Sequence, residues 1–97
     1  MSLRNMGSNF EVRFSDGGKK SLKKVSRQDA VIVLRKLPEL RQFSGTTKNV
    51  KRLRGTRQRL FRLRVGDLRV IFEVEMGKRL IWILFVGYRG GVYRNLN

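Results

Sequence analysis

The sequence predicts a small α+β domain with an N-terminal strand, a helical hairpin and a three-stranded antiparallel meander. Residues 10–14 alternate strictly between apolar and charged side chains, which is typical of a half-buried strand. Apolar residues recur at helical spacing between residues 26 and 37. Two glycine-containing turns then separate three runs rich in β-branched and aromatic residues. We therefore expect the order β-α-α-β-β-β over residues 10–97, one small sheet with the helices on one face, and a flexible segment at 1–9.

The two helices are predicted from their caps and their apolar spacing. A basic helix should begin at Ser15 or Asp16 and run to about Val25. Ser26 should open a second helix, which Pro38 kinks or ends. A polar, glycine-containing connector follows at residues 43–55. The expected buried stripe of the second helix comprises Ala30, Val33, Leu34 and Leu37.

Composition excludes several kinds of protein. The 97 residues carry 23 Lys+Arg and 7 Asp+Glu, a formal net charge of +16, with no Cys and no His. Disulfides, thiolate zinc sites and imidazole catalysis are therefore excluded. The scattered acids predict no metal site, and the lack of a glycine-rich phosphate loop predicts no nucleotide cofactor. The longest apolar run spans residues 80–86, which is too short to cross a membrane, and the N-terminus does not resemble a signal peptide. We expect a cytoplasmic protein with a polyanionic or acidic partner rather than a membrane.

The first hairpin predicts a cluster of arginines. Residues 61–65 and 68–75 flank Gly66-Asp67, and residues 79–86 follow a second turn at 76–78. Glycine in each turn should supply the positive φ that tight hairpins need. A two-residue turn places Arg64 opposite Arg69 with Arg62 beside them, although opposed like charges destabilise a sheet. A bound polyanion explains this placement, because guanidinium groups match phosphate oxygens. Alternatively, the arginines extend into water or pair with Glu73 and Glu75.

The last strand is apolar on both faces. Ile81, Ile83 and Phe85 should join the helix-facing core. On the other face, a patch beside Ile71 should be exposed and mark a protein interface, unless the terminus or the connector folds over it. The residues of this expected patch are Leu80, Trp82 and Leu84.

Three segments together resemble RelE/ParE-type toxins of toxin–antitoxin modules. Residues 62–74 are similar to the central hairpin of that family, Leu53-Arg54-Gly55 to the motif before its sheet, and residues 83–94 to its terminal strand. The resemblance covers residues 10–94 and implies the same β-α-α-β-β-β order. It departs at Tyr88, where many members have His or Lys, and at Gly90-Gly91, which replaces a polar or charged pair. It also departs in the lack of a C-terminal helix.

The resemblance implies an activity and partners. RelE-like members cleave messenger RNA in the ribosomal A site, whereas ParE-like members inhibit DNA gyrase. An acidic antitoxin wraps the toxin in both branches. We expect a RelE-like endoribonuclease, with a ParE-like gyrase inhibitor and a non-catalytic basic RNA-binding module as alternatives. Without His, the RNA's own 2′-hydroxyl would attack the adjacent phosphate, and arginines would stabilise the developing charge.

The candidate site residues follow from the register, the basic stretch and the resemblance. Arg69 is selected by both the register and the resemblance. Tyr93 is open to three roles: proton transfer, base stacking or packing on the sheet edge. The candidate catalytic residues are Arg69, Arg89 and Tyr93. The candidate RNA-binding residues are Lys48, Lys51, Arg52, Arg54, Arg62, Arg64 and Tyr88. The candidate antitoxin-binding residues are Trp82, Leu80 and Leu84.

Overall fold

The protein, described by a computed structural model over residues 9–44, 46–53 and 59–88, is an α+β fold built on one mixed sheet. The five strands lie in the order β1-β5-β4-β3-β2, with β1 parallel to β5 and the other pairs antiparallel. The strands are β1 (Glu11–Phe14), β2 (Val50–Arg52), β3 (Leu60–Val65), β4 (Leu68–Glu75) and β5 (Leu80–Tyr88). The helices are α1 (Asp16–Leu22) and α2 (Arg27–Lys36), which continues into a 3₁₀ helix at Leu37–Gln42.

The predicted fold class is confirmed, and the structure adds one strand. β2 is a three-residue strand inside the segment expected to be a connector, and it pairs with β3. Such a short edge strand has no apolar alternation to reveal it in the sequence. Residues 1–8 of the expected flexible segment lie outside the described residues.

The core lies between the helices and one face of the sheet. Phe72, Ile81, Val70 and Val33 are each fully buried there. Phe43, just after the 3₁₀ helix, contacts the rings of Phe10, Phe61 and Phe72 edge-on, with centroids 5.9, 4.9 and 5.8 Å away. This aromatic group packs the start of the connector against the sheet.

The first hairpin has the predicted register, whereas the second turn differs. Gly66 adopts a φ of 59°, so Val65 pairs with Leu68 across a two-residue turn of the type II′ kind. In the second turn, Arg79 rather than Gly77 takes the left-handed conformation, with a φ of 55°. The prediction for Gly77 is therefore wrong, because this turn continues to residue 79 and the positive φ falls at its last position.

A β-bulge in β5 overturns the predicted position of Phe85. Ile83 pairs with Phe72 but Phe85 pairs with Ile71, so Leu84 is an extra residue in the strand. The bulge moves Phe85 to the face away from the helices and brings Val86 into the core instead. Strict alternation along β5, as expected from the sequence, fails at this point.

Helix α1 covers the edge of β5 where β1 has ended. Ser15 caps the helix by accepting from the Gly18 amide at 3.0 Å, and its hydroxyl donates to the Ile83 carbonyl. The buried Ser21 hydroxyl accepts from the Val86 amide at 2.8 Å. A Cβ at Gly18 would overlap the Ile83 carbonyl oxygen, so only glycine allows this close approach. The helix ends at Leu22, earlier than the expected boundary near residue 25.

Helix α2 buries a narrower stripe than predicted. Val33 and Leu37 are buried and Ala30 is half-buried, but Leu34 is 47% exposed, so its assignment to the core is wrong. Pro38 stands at the start of the 3₁₀ helix, as its ring predicts. In the part of the chain that is described, no helix has the length and apolar character needed to span a membrane.

Candidate nucleic-acid interface

Four basic residues meet on the sheet face that points away from the helices. Arg64 lies directly opposite Arg69 in the β3–β4 pair, as the sequence predicts. Lys51 lies directly opposite Arg62 in the β2–β3 pair. Side chains alternate across a strand, so all four leave the same face, and we call them the basic cluster. Two neighbouring cross-strand pairs of like charge weaken the sheet and create a strong positive potential there.

Arg69 is buried and held in a defined position. Only 5% of its surface is accessible. Its Nη1 donates to the carbonyl oxygens of Leu68 at 3.1 Å and of Gly66 at 3.3 Å, so the guanidinium is fixed against the hairpin turn. A buried guanidinium is costly unless it is hydrogen-bonded. These carbonyl contacts stabilise it without cancelling its positive charge.

The carboxylates that share this face lie at the end away from Arg64 and Arg69, and Asp67 stands in the turn beside that pair. All seven Asp and Glu residues lie within the described part of the chain. Glu11 pairs with Arg13 at 2.7 Å and Glu39 with Lys36 at 3.4 Å, both at exposed positions. The hydrogen bond from Arg13 lowers the pKa of Glu11 below its usual value. Glu75 accepts from the Trp82 indole at 2.6 Å, which accounts for one of the two carboxylates expected as alternative arginine partners.

Glu73, the other expected arginine partner, lies far from the Arg64–Arg69 pair. It is four residues from Arg69 on β4, which is about 13 Å along the strand. Its direct neighbours across the sheet are Leu60 and Trp82. The Arg64–Arg69 pair therefore sits at the opposite end of the face from this carboxylate.

Tyr88 lies on the other side of the sheet from the basic cluster. It pairs with the core residue Leu68 at the end of β5. Its hydroxyl donates to an Asp29 carboxylate oxygen at 2.5 Å and accepts from the Ser26 amide at 3.4 Å. The bulge in β5 sets this direction. Contact of Tyr88 with RNA stays a prediction, but the tyrosine does not join the arginines on their face.

The remaining candidates fall in several places. Lys48 and Arg52 are exposed around β2, with Arg52 opposite Phe61 and therefore on the helix-facing side. Arg54, Arg89 and Tyr93 lie outside the described residues. Their roles stay predictions from the resemblance.

The apolar patch expected on β5 is less exposed than predicted. Ile71 is fully buried, and Leu80, Trp82 and Leu84 are each half-buried. Contact of these three residues with an antitoxin stays a prediction. Among the described residues, the exposed large apolar or aromatic side chains lie elsewhere, at Val31, Ile32, Leu34, Met76 and Tyr88.

Solved structures share this fold. The RelBE2 toxin–antitoxin complex of Mycobacterium tuberculosis superposes with a TM-score of 0.73 at 22% identity, over 84% of this chain and 92% of that chain. The RelE–RelB complex of Pyrococcus horikoshii gives 0.70 at 27% identity, over 86% and 98%. A free mutant of Escherichia coli RelE gives 0.65 at 20% identity, over 84% and 85%. This chain therefore has the fold of the RelE toxins in those structures. No family model and no curated protein sequence matches it.

Part of the candidate site depends on pairing between strands that the sequence does not reveal. Lys51 was a candidate from the acid-free basic stretch, but its place opposite Arg62 depends on β2, which the sequence does not reveal. The sequence also does not reveal that Arg69 is buried and held by carbonyl groups of the turn. Across the described residues, no group of three or more His, Cys, Asp or Glu is arranged to hold a metal ion.

Proposed function

We propose that this protein is the toxin of a toxin–antitoxin module and cleaves translated messenger RNA on the ribosome. The observation that carries the proposal is the Arg64–Arg69 pair on the sheet face of a RelE-type fold. Two guanidinium groups that oppose each other across two strands do not stabilise the fold. They can both bind a phosphodiester backbone, because each guanidinium donates two hydrogen bonds in the geometry of phosphate oxygens.

The chemistry relies on the substrate's own nucleophile. The RNA 2′-oxygen forms a bond to the adjacent phosphorus, the bond from phosphorus to the 5′-oxygen breaks, and the products are a 2′,3′-cyclic phosphate and a 5′-hydroxyl. Negative charge grows on the phosphate oxygens in the transition state. Arg69, fixed by the turn carbonyls, and the exposed Arg64 are placed to stabilise that charge without reorganising.

In this proposal, a residue of the C-terminal segment transfers the proton. Tyr88 is bound to Asp29 on the opposite face, which favours Tyr93 as the group that moves a proton. Arg89 adds a further positive charge after β5. A neutral tyrosine is a weak base, so the ribosome's orientation of the message supplies part of the rate.

An acidic antitoxin completes the proposed module. The compared complexes from Mycobacterium tuberculosis and Pyrococcus horikoshii each contain RelE with RelB. A net charge of +16 gives an acidic partner a strong attraction and a fast association rate. We propose a cytoplasmic location on the same grounds, since messenger RNA and ribosomes are the substrate and the platform.

The test is a cleavage map after induction. Expression of the wild-type chain should arrest growth, and primer extension should locate cuts within translated messages. Arg69→Ala and Arg64→Ala should each reduce cleavage by roughly 10- to 1000-fold, as expected from the loss of a transition-state contact. Lys78→Ala, which removes a positive charge from the exposed second turn, should cleave like the parent.

Three results would overturn parts of the proposal. Equal toxicity of folded Arg69→Ala and Arg89→Ala would remove the assigned site. Intact messages with accumulating double-strand DNA breaks would favour a gyrase inhibitor. Salt-sensitive RNA binding without cleavage on programmed ribosomes would indicate a non-catalytic RNA-binding module.

A further inference from the structure

The sheet face that carries the basic cluster is divided by charge. Arg64 and Arg69 lie at the end of the face next to the first turn. At the other end, Glu73 pairs with Trp82, and Glu75 lies opposite Leu80. Phosphates are attracted to the first end and repelled from the second. A strand of RNA that crosses the whole face therefore gains phosphate contacts at the basic end and needs a contact of another kind at the other end.

Trp82 stands at the acidic end with its ring held in place. Its Nε1 donates to Glu75 at 2.6 Å, which fixes the orientation of the indole. The Arg13 guanidinium lies over the ring, 5.9 Å from its centroid, and is itself paired with Glu11 at 2.7 Å. The side chain is half-buried, so part of the ring remains accessible. An oriented, partly open indole beside a cation is a stacking platform for a planar group.

From this geometry we infer that Trp82 and Arg13 form a nucleobase-stacking subsite for the RNA whose phosphate is held by Arg64 and Arg69. The inference rests on the proposed function. The two positions are about 13 Å apart along β4, a span of a few nucleotides of extended strand. A base stacks through an uncharged face, so the surrounding carboxylates do not repel it. They accept hydrogen bonds from its amino or imino groups instead.

The immediate surroundings favour a base over an apolar side chain of a protein partner. Ile71, the apolar neighbour of this region on β4, is fully buried and offers no continuing surface. Charged side chains also surround the indole, namely Glu73, Glu75, Arg13 and Glu11, beside the half-buried Leu80 and Leu84 of its own strand. An anchoring pocket in a protein interface is depleted of charged residues at its centre.

The single tryptophan of the chain makes the inference directly measurable. The probes are short homopolymeric 2′-fluoro RNA strands, which cannot be cleaved through the 2′-position, and an abasic strand of equal length. Binding is followed by the anisotropy of a terminal dye, and stacking by tryptophan emission. Intact strands should quench emission as they saturate the protein, while the abasic strand should bind through its phosphates without that quenching.

Substitutions of Trp82 measure how much the indole contributes to RNA affinity. Trp82→Leu should weaken binding of the intact strand by roughly 5- to 100-fold, the loss expected for one stacked base, and should leave the abasic strand nearly unaffected. Trp82→Phe should retain part of the affinity. Val31→Ser, which removes an exposed aliphatic side chain from α2, should bind both strands like the parent.

The outcomes separate this inference from the proposed cleavage. Unchanged tryptophan emission when an intact strand saturates the protein would overturn the stacking subsite. Equal quenching by the intact and abasic strands would also overturn it, and a contact with a protein partner would then be the remaining role for Trp82. Absence of binding by either strand would also overturn it. Quenching that persists in a protein unable to cut messages would support the subsite while refuting the cleavage.

Discussion

Arg64 belongs to a pair of like charges that lowers the stability of the fold and is suited to binding phosphate. It is exposed and lies directly opposite Arg69, whose position is fixed by the turn. Arg64→Gln should therefore stabilise the protein by about 0.2–1 kcal/mol, measured by urea unfolding at low salt. The same variant should cut messages more slowly. Lys78→Gln, at the exposed second turn, should alter neither property, and a loss of stability in Arg64→Gln would contradict the assigned repulsion.

Two glycines offer a matched pair for testing close packing. A Cβ at Gly18 would overlap the backbone oxygen of Ile83, which cannot move away without disturbing β5. Gly18→Ala should destabilise the protein by about 1–3 kcal/mol. Gly77 has open space around its Cβ position and no positive φ, so Gly77→Ala should be neutral or slightly stabilising. Equal unfolding midpoints for the two variants would show that α1 does not pack on β5 as described.

At the level of elements, α1 serves as the edge cover of β5. β1 pairs with β5 only up to Ile83, and beyond that point Ser21 supplies the acceptor for the Val86 amide. Without that acceptor, the buried N–H has no replacement partner among water molecules. The short helix therefore replaces a strand along the second half of this edge.

Ser21→Ala tests this role of α1. The substitution leaves the buried Val86 amide without its acceptor and should cost about 1–3 kcal/mol of stability. Hydrogen exchange read by NMR should accelerate at Val86 more than at the other strand amides. Lys20→Ala, an exposed change on the same helix, should leave the exchange pattern unchanged. Undisturbed exchange at Val86 in the Ser21 variant would refute the edge-cover role.

The whole molecule is governed by its charge imbalance. Its net charge of +16 is spread over 97 residues, and the ion pairs observed among the described residues are two exposed ones. Mutual repulsion of this size opposes the compact state, and salt screens it. Raising sodium chloride from low to near 0.5 M should therefore increase the thermal unfolding midpoint by several degrees.

RNA affinity should move in the opposite direction under the same salt change. Each phosphate contact releases counterions, so the logarithm of the binding constant should fall linearly with the logarithm of salt concentration. Calorimetry or circular dichroism measures the stability, and anisotropy with the uncleavable strand measures the binding. A midpoint that falls with salt would contradict the dominance of self-repulsion.

Features that depend on neighbouring residues along the chain could be predicted from the amino-acid sequence. Alternation of residue types and a glycine at the turn fixed the register of β3 against β4, and with it the Arg64–Arg69 pair. Serine caps and Pro38 fixed the start and end of α2. Each of these features is set by local backbone conformation, which a short stretch of sequence specifies.

Features that depend on contacts between distant segments could not be predicted from the sequence. The bulge in β5 lies where α1 approaches the strand, and it sends Phe85 and Tyr88 to faces that alternation alone does not predict. β2 exists because β3 offers it an open edge and Phe43 packs the connector nearby. Packing chooses among backbone arrangements of similar local energy, so contacts far apart in sequence set which side chains share the candidate site.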